Sequence, residues 1–231
     1  MNLVTVIPAR GGSKSIPLKN IRLLHGRPLI DYSIRYSLAC SLVQHTVVST
    51  DCEQIAAIAR HSGAEVPFLR PAEHAQDLTP DFPVFRHALL ALEEFYQEKI
   101  DLLLLLRPTS PLRPPGLIER AVALLQAHPE ASSVRSVAVA KEHPYRQWQT
   151  DGPYMRAAEE RVFEPYNLPR QLLPLRYFQT GDLEMMRRQT LLDGSISGPR
   201  VLPLRIDHEE MVDIDHESDL QRAERKIDAR R

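Results

Sequence analysis

The sequence predicts an α/β fold in which a mostly parallel sheet carries helices on both faces and one inserted arm. Strand-like and helix-like segments alternate through the first 140 residues, residues 102–106 are five leucines in a row, and the alternation stops in residues 141–174. Such alternation is typical of βαβ units. A continuous apolar strand indicates a central position in a parallel sheet, because both faces of that strand are covered.

Each element rests on its own local pattern. The run at 3–8 is rich in β-branched residues, which favour strands. Helices are expected where apolar residues recur every three or four positions, with Pro28 and Pro83 suited to first turns and Gly63 to a helix end. The predicted strands are 3–8, 45–50, 65–69, 102–106, 132–140, 177–186 and 201–206, and the predicted helices are 28–41, 51–61, 81–97, 116–127 and 217–229.

Length and charge narrow the class of protein. The chain has 231 residues and no evident linker, so we expect a single domain over residues 1–231, with the long irregular stretch 141–174 as an inserted dimerisation arm. Lys and Arg number 29 against 30 Asp and Glu, which excludes a strongly basic nucleic-acid binder. No apolar run reaches the ~18 residues that span a bilayer, no charged leader opens the chain, and two cysteines are too few for a disulfide framework. We therefore expect a cytoplasmic protein with no nucleic-acid or membrane partner.

A loop rich in glycine and cations follows the first predicted strand. Gly11 and Gly12 lie between Arg10 and Lys14, and Lys19 follows. Adjacent glycines let backbone N–H groups approach phosphates closely, and ligands of α/β sheets bind beyond the carboxyl ends of the strands. The loop matches neither G-x-x-x-x-G-K-[ST] nor G-x-G-x-x-G, and a glycine turn with solvated cations is the alternative. Three cations within ten residues favour the phosphate site.

Two acids near the C-terminus form a candidate metal site. Asp213 and Asp215 flank Ile214, and at i, i+2 of a strand both carboxylates would point to one face. Such ligands suit Mg²⁺, which prefers a few carboxylates together with phosphate oxygens and water. The alternative is a solvated strand end before a helix N-terminus, and the residues alone leave the two at even odds. Asp51 is interpreted as a helix N-cap.

Several motifs together resemble those of the acylneuraminate cytidylyltransferases, the CMP-sialic acid synthetases. They are P-A-R-G-G-S-K and P-L-K-N within 8–20, V-S-T-D at 48–51, L-R-P-A-E at 69–73, R-P-T-S-P-L-R at 107–113, P-R-Q-L-L-P at 169–174 and V-D-I-D at 212–215. They extend over nearly the whole chain. The resemblance implies a Rossmann-like nucleotidyltransferase fold and Mg²⁺-dependent transfer of CMP from CTP to a 2-keto-3-deoxy sugar acid, with release of pyrophosphate. It also implies a homodimer in which 141–174 is the swapped arm.

The same resemblance implies roles for individual residues. Arg10 and Lys19 are the implied catalytic residues, because they would neutralise the CTP phosphates. The other implied site residues are Gly11, Gly12 and Lys14 for the nucleotide, Asn20 and Arg70 for its cytidine side, Asp81, Arg107, Thr109, Arg146, Arg170 and Gln179 for the sugar acid, and Asp213 and Asp215 for Mg²⁺.

The chain departs from the pattern of this family on the sugar side. Arg107 replaces the glutamine that opens P-T-S-P-L-R, Asp81 replaces a small hydroxyl residue, and Arg146 replaces a lysine. After Arg170, residues 178–184 read F-Q-T-G-D-L-E where the sialic-acid enzymes have R-P-N-G-A-I-Y. A buried Arg107 needs an anion, either Asp81 or the carboxylate of the acceptor. We therefore expect N-acetylneuraminate to be a poor acceptor, and a related nonulosonate or another acidic acceptor to be the substrate.

Two other functions stay open on the sequence alone. One is nucleotidyl transfer with another base or acceptor, such as GTP or a phosphonate. The other is a catalytically silent nucleotide-binding regulatory module, against which the joint presence of Arg10, Lys19, Asp213 and Asp215 weighs.

Overall fold

Six of the seven predicted strands and all five predicted helices are present among the described residues, with most bounds shifted by a few residues, and four short strands and one short helix were not predicted. The computed structural model describes residues 1–207 and 211–229. The strands are β1 (Leu3–Pro8), β2 (Leu23–Leu24), β3 (Arg27–Pro28), β4 (His45–Ser49), β5 (Leu102–Leu105), β6 (Ser133–Val139), β7 (Trp148–Asp151), β8 (Tyr154–Ala157), β9 (Tyr177–Arg187) and β10 (Val201–Arg205). The helices are α1 (Leu29–Leu38), α2 (Glu53–His61), α3 (Asp81–Tyr96), α4 (Leu117–Ala127), α5 (Arg188–Leu192) and α6 (Glu217–Asp228).

The main sheet is mostly parallel, as predicted. Its strand order, among the described residues, is β10-β6-β9-β5-β1-β4. Strand β1 pairs in parallel with β4 and β5, and β10 pairs in parallel with β6. Strand β9 runs antiparallel between β5 and β6. The fold class is therefore confirmed, with one antiparallel strand in the middle of the sheet.

The leucine run occupies the place that its composition predicts. Leu102 and Leu104 pack in a cluster with α1, α2 and α4 on one face of the sheet. Leu103 and Leu105 pack with α3 and α5 on the other face. Successive side chains of a strand point to opposite faces, so only an unbroken apolar run satisfies both layers.

Strand β9 carries a wide irregularity beside the carboxyl end of β5. Arg135 of β6 is opposite Glu184, but Val137 is opposite Gln179, so four residues of β9 bulge past Ser136 alone. The Ser136 hydroxyl holds this bulge, because it accepts from the Leu183 amide at 2.9 Å and from the Thr180 hydroxyl at 2.8 Å. A bulge of this kind redirects side chains at the edge of an active site.

Two local expectations are wrong. Residues 65–69 form no strand, and among the described residues their one ladder contact is a single parallel bridge between Glu65 and Val47. Asp51 is not a helix cap, because α2 begins at Glu53 with Cys52 in the cap position. The Asp51 carboxylate instead accepts a hydrogen bond from the Gly11 amide at 2.9 Å, so it supports the glycine loop.

The stretch 141–174 contains a separate hairpin, β7 paired with β8. Its surroundings hold several large apolar side chains that are exposed, including Tyr154 at 76% and Phe163 at 89%. In the part of the chain that the structure describes, no helix is long and apolar enough to cross a membrane.

Candidate active site

A polar cavity of about 440 Å³ lies at the carboxyl ends of β1 and β5. This is the edge where open α/β sheets bind ligands. Eight of the residues implied by the resemblance line it, namely Arg10, Lys14, Lys19, Asn20, Arg70, Asp81, Arg107 and Thr109. The cavity therefore brings the cationic loop and the altered sugar-side residues together in one site.

The glycine loop is held by the Asn20 side chain and packs against the residue before α2. A Cβ on Gly11 would lie 3.0 Å from the Cβ of Cys52, so a side chain there would crowd the start of α2. The buried amide of Asn20 donates to the Arg10 carbonyl at 2.9 Å, which ties the two ends of the loop together. The Asn20 side chain thus shapes the cavity that it lines. A Cβ on Gly12 would meet no atom within 4 Å.

Two of the loop cations share one carboxylate that the sequence did not single out. Arg10 Nη1 lies 2.7 Å from Asp77 Oδ1, and Lys14 Nζ lies 2.5 Å from Asp77 Oδ2. Hydrogen bonds from Lys14, and then from Arg10, lower the pKa of Asp77. The carboxylate therefore lies against the two side chains that the resemblance assigns to phosphates.

The third cation joins the loop to the acidic pair. Lys19 Nζ lies 3.0 Å from Asp215 Oδ1, and the Lys19 side chain is only 14% exposed. The segment before α6 is bonded to the loop after β5, because the Ile214 amide donates to the Thr109 carbonyl at 2.9 Å. Asp213 and Asp215 do not themselves line the cavity, but their partners Thr109 and Lys19 do.

The acidic pair does not form the regular strand that we expected. Asp213 is half-buried and Asp215 is exposed, and neither belongs to a strand. Asp213 Oδ1 is buried and has no hydrogen-bond partner among the described residues. Burial and then the charge of Asp215 raise the pKa of Asp213, against the influence of Thr109 and Lys19. Within residues 1–207 and 211–229, no group of three or more His, Cys, Asp or Glu side chains could hold a metal ion.

Arg70 lies in the wall of the cavity, where its guanidinium bonds to the protein. Its Nε donates to the Ser49 hydroxyl at 3.0 Å, its Nη2 donates to the Ser49 carbonyl, and its Nη1 reaches the His74 carbonyl at 3.4 Å. Burial lowers its pKa to about 10. Arg70 therefore holds the end of β4 against the loop that carries Asp77.

Arg107 and Asp81, which the resemblance assigns to the acceptor, belong to a network of paired charges. Arg107 Nη2 lies 2.5 Å from Asp81 Oδ2 and 2.9 Å from Glu184 Oε1. Arg135 Nη2 lies 2.9 Å from Glu184 Oε2, and Gln179 Nε2 donates to Glu184 Oε1 at 2.9 Å. Burial disfavours the charge of Arg107, but hydrogen bonds and attraction from the two carboxylates outweigh it and raise its pKa.

The pairing with Asp81 is one of the two arrangements that the sequence left open for Arg107. Glu184 was noted only as part of the divergent run 178–184, without a partner, although a carboxylate within the apolar stretch of β9 is a usable signal. A carboxylate in a buried strand requires a cationic partner. Asp77 carries no comparable signal, because it lies in a polar loop.

A buried arginine beneath this network holds the floor of the cavity. The Arg113 guanidinium donates to the Asp182 carbonyl at 2.6 Å, to the Ser33 hydroxyl at 2.9 Å and to the Arg107 carbonyl at 2.7 Å. Burial lowers the pKa of Arg113 to about 10 and raises that of Asp182 to about 6. Attraction between the two opposes both shifts but does not cancel the effect of burial.

Three implied acceptor residues do not line the cavity. Arg146 and Arg170 are exposed in the stretch 141–174. Arg146 Nη2 donates to the Leu168 carbonyl oxygen, 3.4 Å away. Gln179 contributes only through Glu184 and Arg135.

Comparison with known proteins shows which proteins this chain is similar to. A model of the family described as "Cytidylyltransferase" matches residues 4–181. The chain is 32% identical over 222 residues to the post-translational flagellin modification protein B of Campylobacter coli, an alignment that covers 95% of this chain and 92% of that protein. It is 44% identical over 127 residues to the CMP-N,N'-diacetyllegionaminic acid synthase of Legionella pneumophila, where the alignment covers 54% of this chain and 53% of that protein. The chain thus spans about half the length of that synthase.

One solved structure shows the same fold over the full length of both chains. It is a CMP:2-keto-3-deoxy-manno-octonic acid synthetase complexed with CTP, with a TM-score of 0.74, 17% identity and coverage of 100% of each chain. At that identity, the likeness concerns the fold.

Proposed function

The chain belongs to the cytidylyltransferase family, and from that premise we propose that it transfers CMP from CTP to a 2-keto-3-deoxy sugar acid of the nonulosonate class. One observation carries the proposal: a cationic wall of Arg10, Lys14 and Lys19 shares a single cavity with the charge-paired residues Asp81 and Arg107. The cationic wall suits a triphosphate, and the charge-paired Asp81 and Arg107 suit a polar acceptor. The name of the Legionella relative, a CMP-N,N'-diacetyllegionaminic acid synthase, supports a sugar acid of this class.

The proposed chemistry is an in-line displacement at the α-phosphorus of CTP. The acceptor hydroxyl forms the new O–P bond, the bond to the pyrophosphate oxygen breaks, and the hydroxyl proton passes to solvent. Negative charge accumulates on the leaving pyrophosphate, so fixed cations lower the barrier by stabilising charge that develops there. Lys19 is the best oriented of them, because its side chain is largely buried and bonded to Asp215.

Binding of the triphosphate requires a rearrangement at Asp77. Its carboxylate is bonded to both Arg10 and Lys14, and the same donors would face the phosphates. The phosphates would therefore replace Asp77 as the partner of these two cations.

Mg²⁺ is part of the proposal, and the donor set fits it. Asp213 offers a buried oxygen that has no hydrogen-bond partner among the described residues, and Asp215 is exposed beside Lys19. Two carboxylates suit Mg²⁺ when phosphate oxygens and water complete the octahedron. When bound, Mg²⁺ would neutralise phosphate charge. Asp213 and Asp215 are the residues that would hold it.

We also propose a homodimer formed through the stretch 141–174, in the cytoplasm, where CTP is available and where both cysteines stay free thiols. Exposed Tyr154, Met155 and Phe163 support the dimer, because large apolar side chains left exposed within one segment favour a partner surface. Sedimentation should show a dimer at micromolar concentration. Tyr154→Ser with Phe163→Ser should shift it to monomer, whereas Phe95→Ser, an exposed aromatic on α3, should not. A wild-type monomer contradicts the proposal.

The decisive assay for the reaction is a pyrophosphate-release screen. CTP, GTP, ATP and UTP are each offered with N,N'-diacetyllegionaminate, pseudaminate, N-acetylneuraminate and 2-keto-3-deoxy-manno-octonate, with and without Mg²⁺. We expect release only with CTP, Mg²⁺ and a sugar acid. Preference for GTP, or release that does not depend on any sugar acid, would contradict the proposal.

A further inference from the structure

The charges beside the acceptor end of the cavity are balanced before any ligand enters. Asp81 and Glu184 face Arg107 and Arg135, with the closest N···O separations between 2.5 and 2.9 Å. Two carboxylates and two guanidiniums cancel within this group of described residues. Arg107 is therefore already paired with two carboxylates through its Nη2 before any ligand enters.

Asp81 is the carboxylate of this group that lines the cavity. It is the first residue of α3, its side chain is 32% exposed, and it lines the cavity. Arg107 holds Oδ2, and Oδ1 has no hydrogen-bond partner in the part of the chain that the structure describes. An ionised carboxylate only accepts hydrogen bonds, so the ligand group that meets Oδ1 has to be a donor.

Glu184 influences the ligand only indirectly, through Arg107. Its side chain is 2% exposed in the middle of the sheet, where it receives hydrogen bonds from Arg107 and Gln179. It does not line the cavity. Because Arg107 is held between Glu184 and Asp81, removal of the Glu184 charge would loosen Arg107 and with it the position of Asp81.

We propose that Asp81 determines acceptor specificity by accepting a hydrogen bond from a hydroxyl or amide N–H of the sugar acid, and that Glu184 is the positioning residue that holds it in place through Arg107. This inference rests on the proposed function. It names the chemical feature that an acceptor must carry, which is a neutral donor directed at the amino end of α3. A second anionic group at that position would be rejected.

The test measures KM for the acceptor and KM for CTP separately, with the best acceptor of the screen. Asp81→Ala should raise the acceptor KM by about 10- to 100-fold, the loss expected for a hydrogen bond to a charged group, with the CTP KM within about twofold. Glu184→Gln should also raise the acceptor KM and leave that of CTP unchanged. The two changes combined should raise it by less than the product of the single effects, since coupled residues are not additive.

Glu94→Gln is the matched control, because it removes an exposed carboxylate of the same helix, α3, far from the cavity. It should leave both KM values unchanged. Asp81→Asn keeps the shape of the side chain and serves if the alanine variant unfolds, and it should weaken acceptor binding in the same direction. An unchanged acceptor KM in a folded Asp81 variant, or equal effects on acceptor and CTP, overturns the inference. Failure of the proposed function would be distinguishable from failure of this inference, because the wild-type protein would then turn over no acceptor at all.

Discussion

Lys19→Met should separate catalysis from folding. The change removes the positive charge of a side chain that is 14% exposed, and keeps most of its apolar length. Its partner Asp215 is 64% exposed, so the ion pair contributes at most about 1 kcal/mol to stability. For a chain of this size that corresponds to a loss of only about 2–4 °C in Tm.

The effect of the same change on the reaction should be far larger. A fixed donor that meets developing charge contributes about 10²–10³ in kcat. We therefore expect kcat to fall by about two to three orders of magnitude, measured by pyrophosphate release at saturating CTP, while circular dichroism and Tm stay close to wild type.

The matched control for this experiment is Arg22→Met. Arg22 also forms an ion pair with the start of α6, at 3.2 Å from Glu217, but both side chains are more than half exposed and Arg22 does not line the cavity. Its kcat should be unchanged. A folded Lys19 variant with nearly normal kcat, or equal losses in the two variants, would show that Lys19 does not act on the phosphates.

Three further perturbations test other parts of the structure. Asp77→Asn should raise the affinity for CTP severalfold in calorimetry, more at low salt, because the carboxylate competes with phosphates for Arg10 and Lys14. Burial raises the pKa of Asp182 to about 6. The protonated Asp182 therefore contributes to stability below about pH 4, and this contribution is lost as the pH rises through 6. The Tm of the wild type, measured relative to that of Asp182→Asn, should fall over that pH interval. Leu104→Ala should lower the free energy of unfolding by about 3–5 kcal/mol in urea titration, because Leu104 is completely buried in the central strand.

Each of these has a clear contrary result. Unchanged or weaker CTP binding in the Asp77 variant would mean that its ion pairs do not compete with the nucleotide. A constant Tm difference between the wild type and the Asp182 variant from about pH 4 to 7 would mean that this carboxyl titrates normally. A loss below about 1 kcal/mol for Leu104→Ala would contradict close packing around β5.

The spacing of apolar residues along the sequence predicted the helices and strands that depend on local sequence pattern. The leucines of β5 needed cover on both faces, and the structure places them between two packed layers. The antiparallel direction of β9 could not be read in the same way, because strand direction depends on the path of the long segment before it. The strand predicted at 65–69 was wrong for a related reason. These residues favour a strand, but among the described residues only Glu65 bridges to a neighbouring strand, at Val47.

The candidate site was predictable where its residues are close together in the sequence. The loop with Arg10, Lys14 and Lys19 was recognisable from its glycines and cations. Asp77 was not, since it becomes part of the site only through folding. Glu184 lies in the divergent run 178–184, but its pairing with Arg107 across 77 positions of the chain could not be read from the sequence. The strand geometry expected for Asp213 and Asp215 failed because that segment pairs with the Thr109 loop and not with the sheet.

The central claim is that CMP passes from CTP to a sugar acid, and a labelling experiment tests it most directly. The protein is incubated with Mg²⁺, N,N'-diacetyllegionaminate and CTP that carries ³²P at either the α or the γ position, and the products are separated by chromatography. The account predicts that α-label appears in a new sugar-linked CMP while γ-label appears only in pyrophosphate. Label from the γ position in the sugar product, or α-label that stays in CTP or is released as free CMP with every acceptor of the screen, would contradict it.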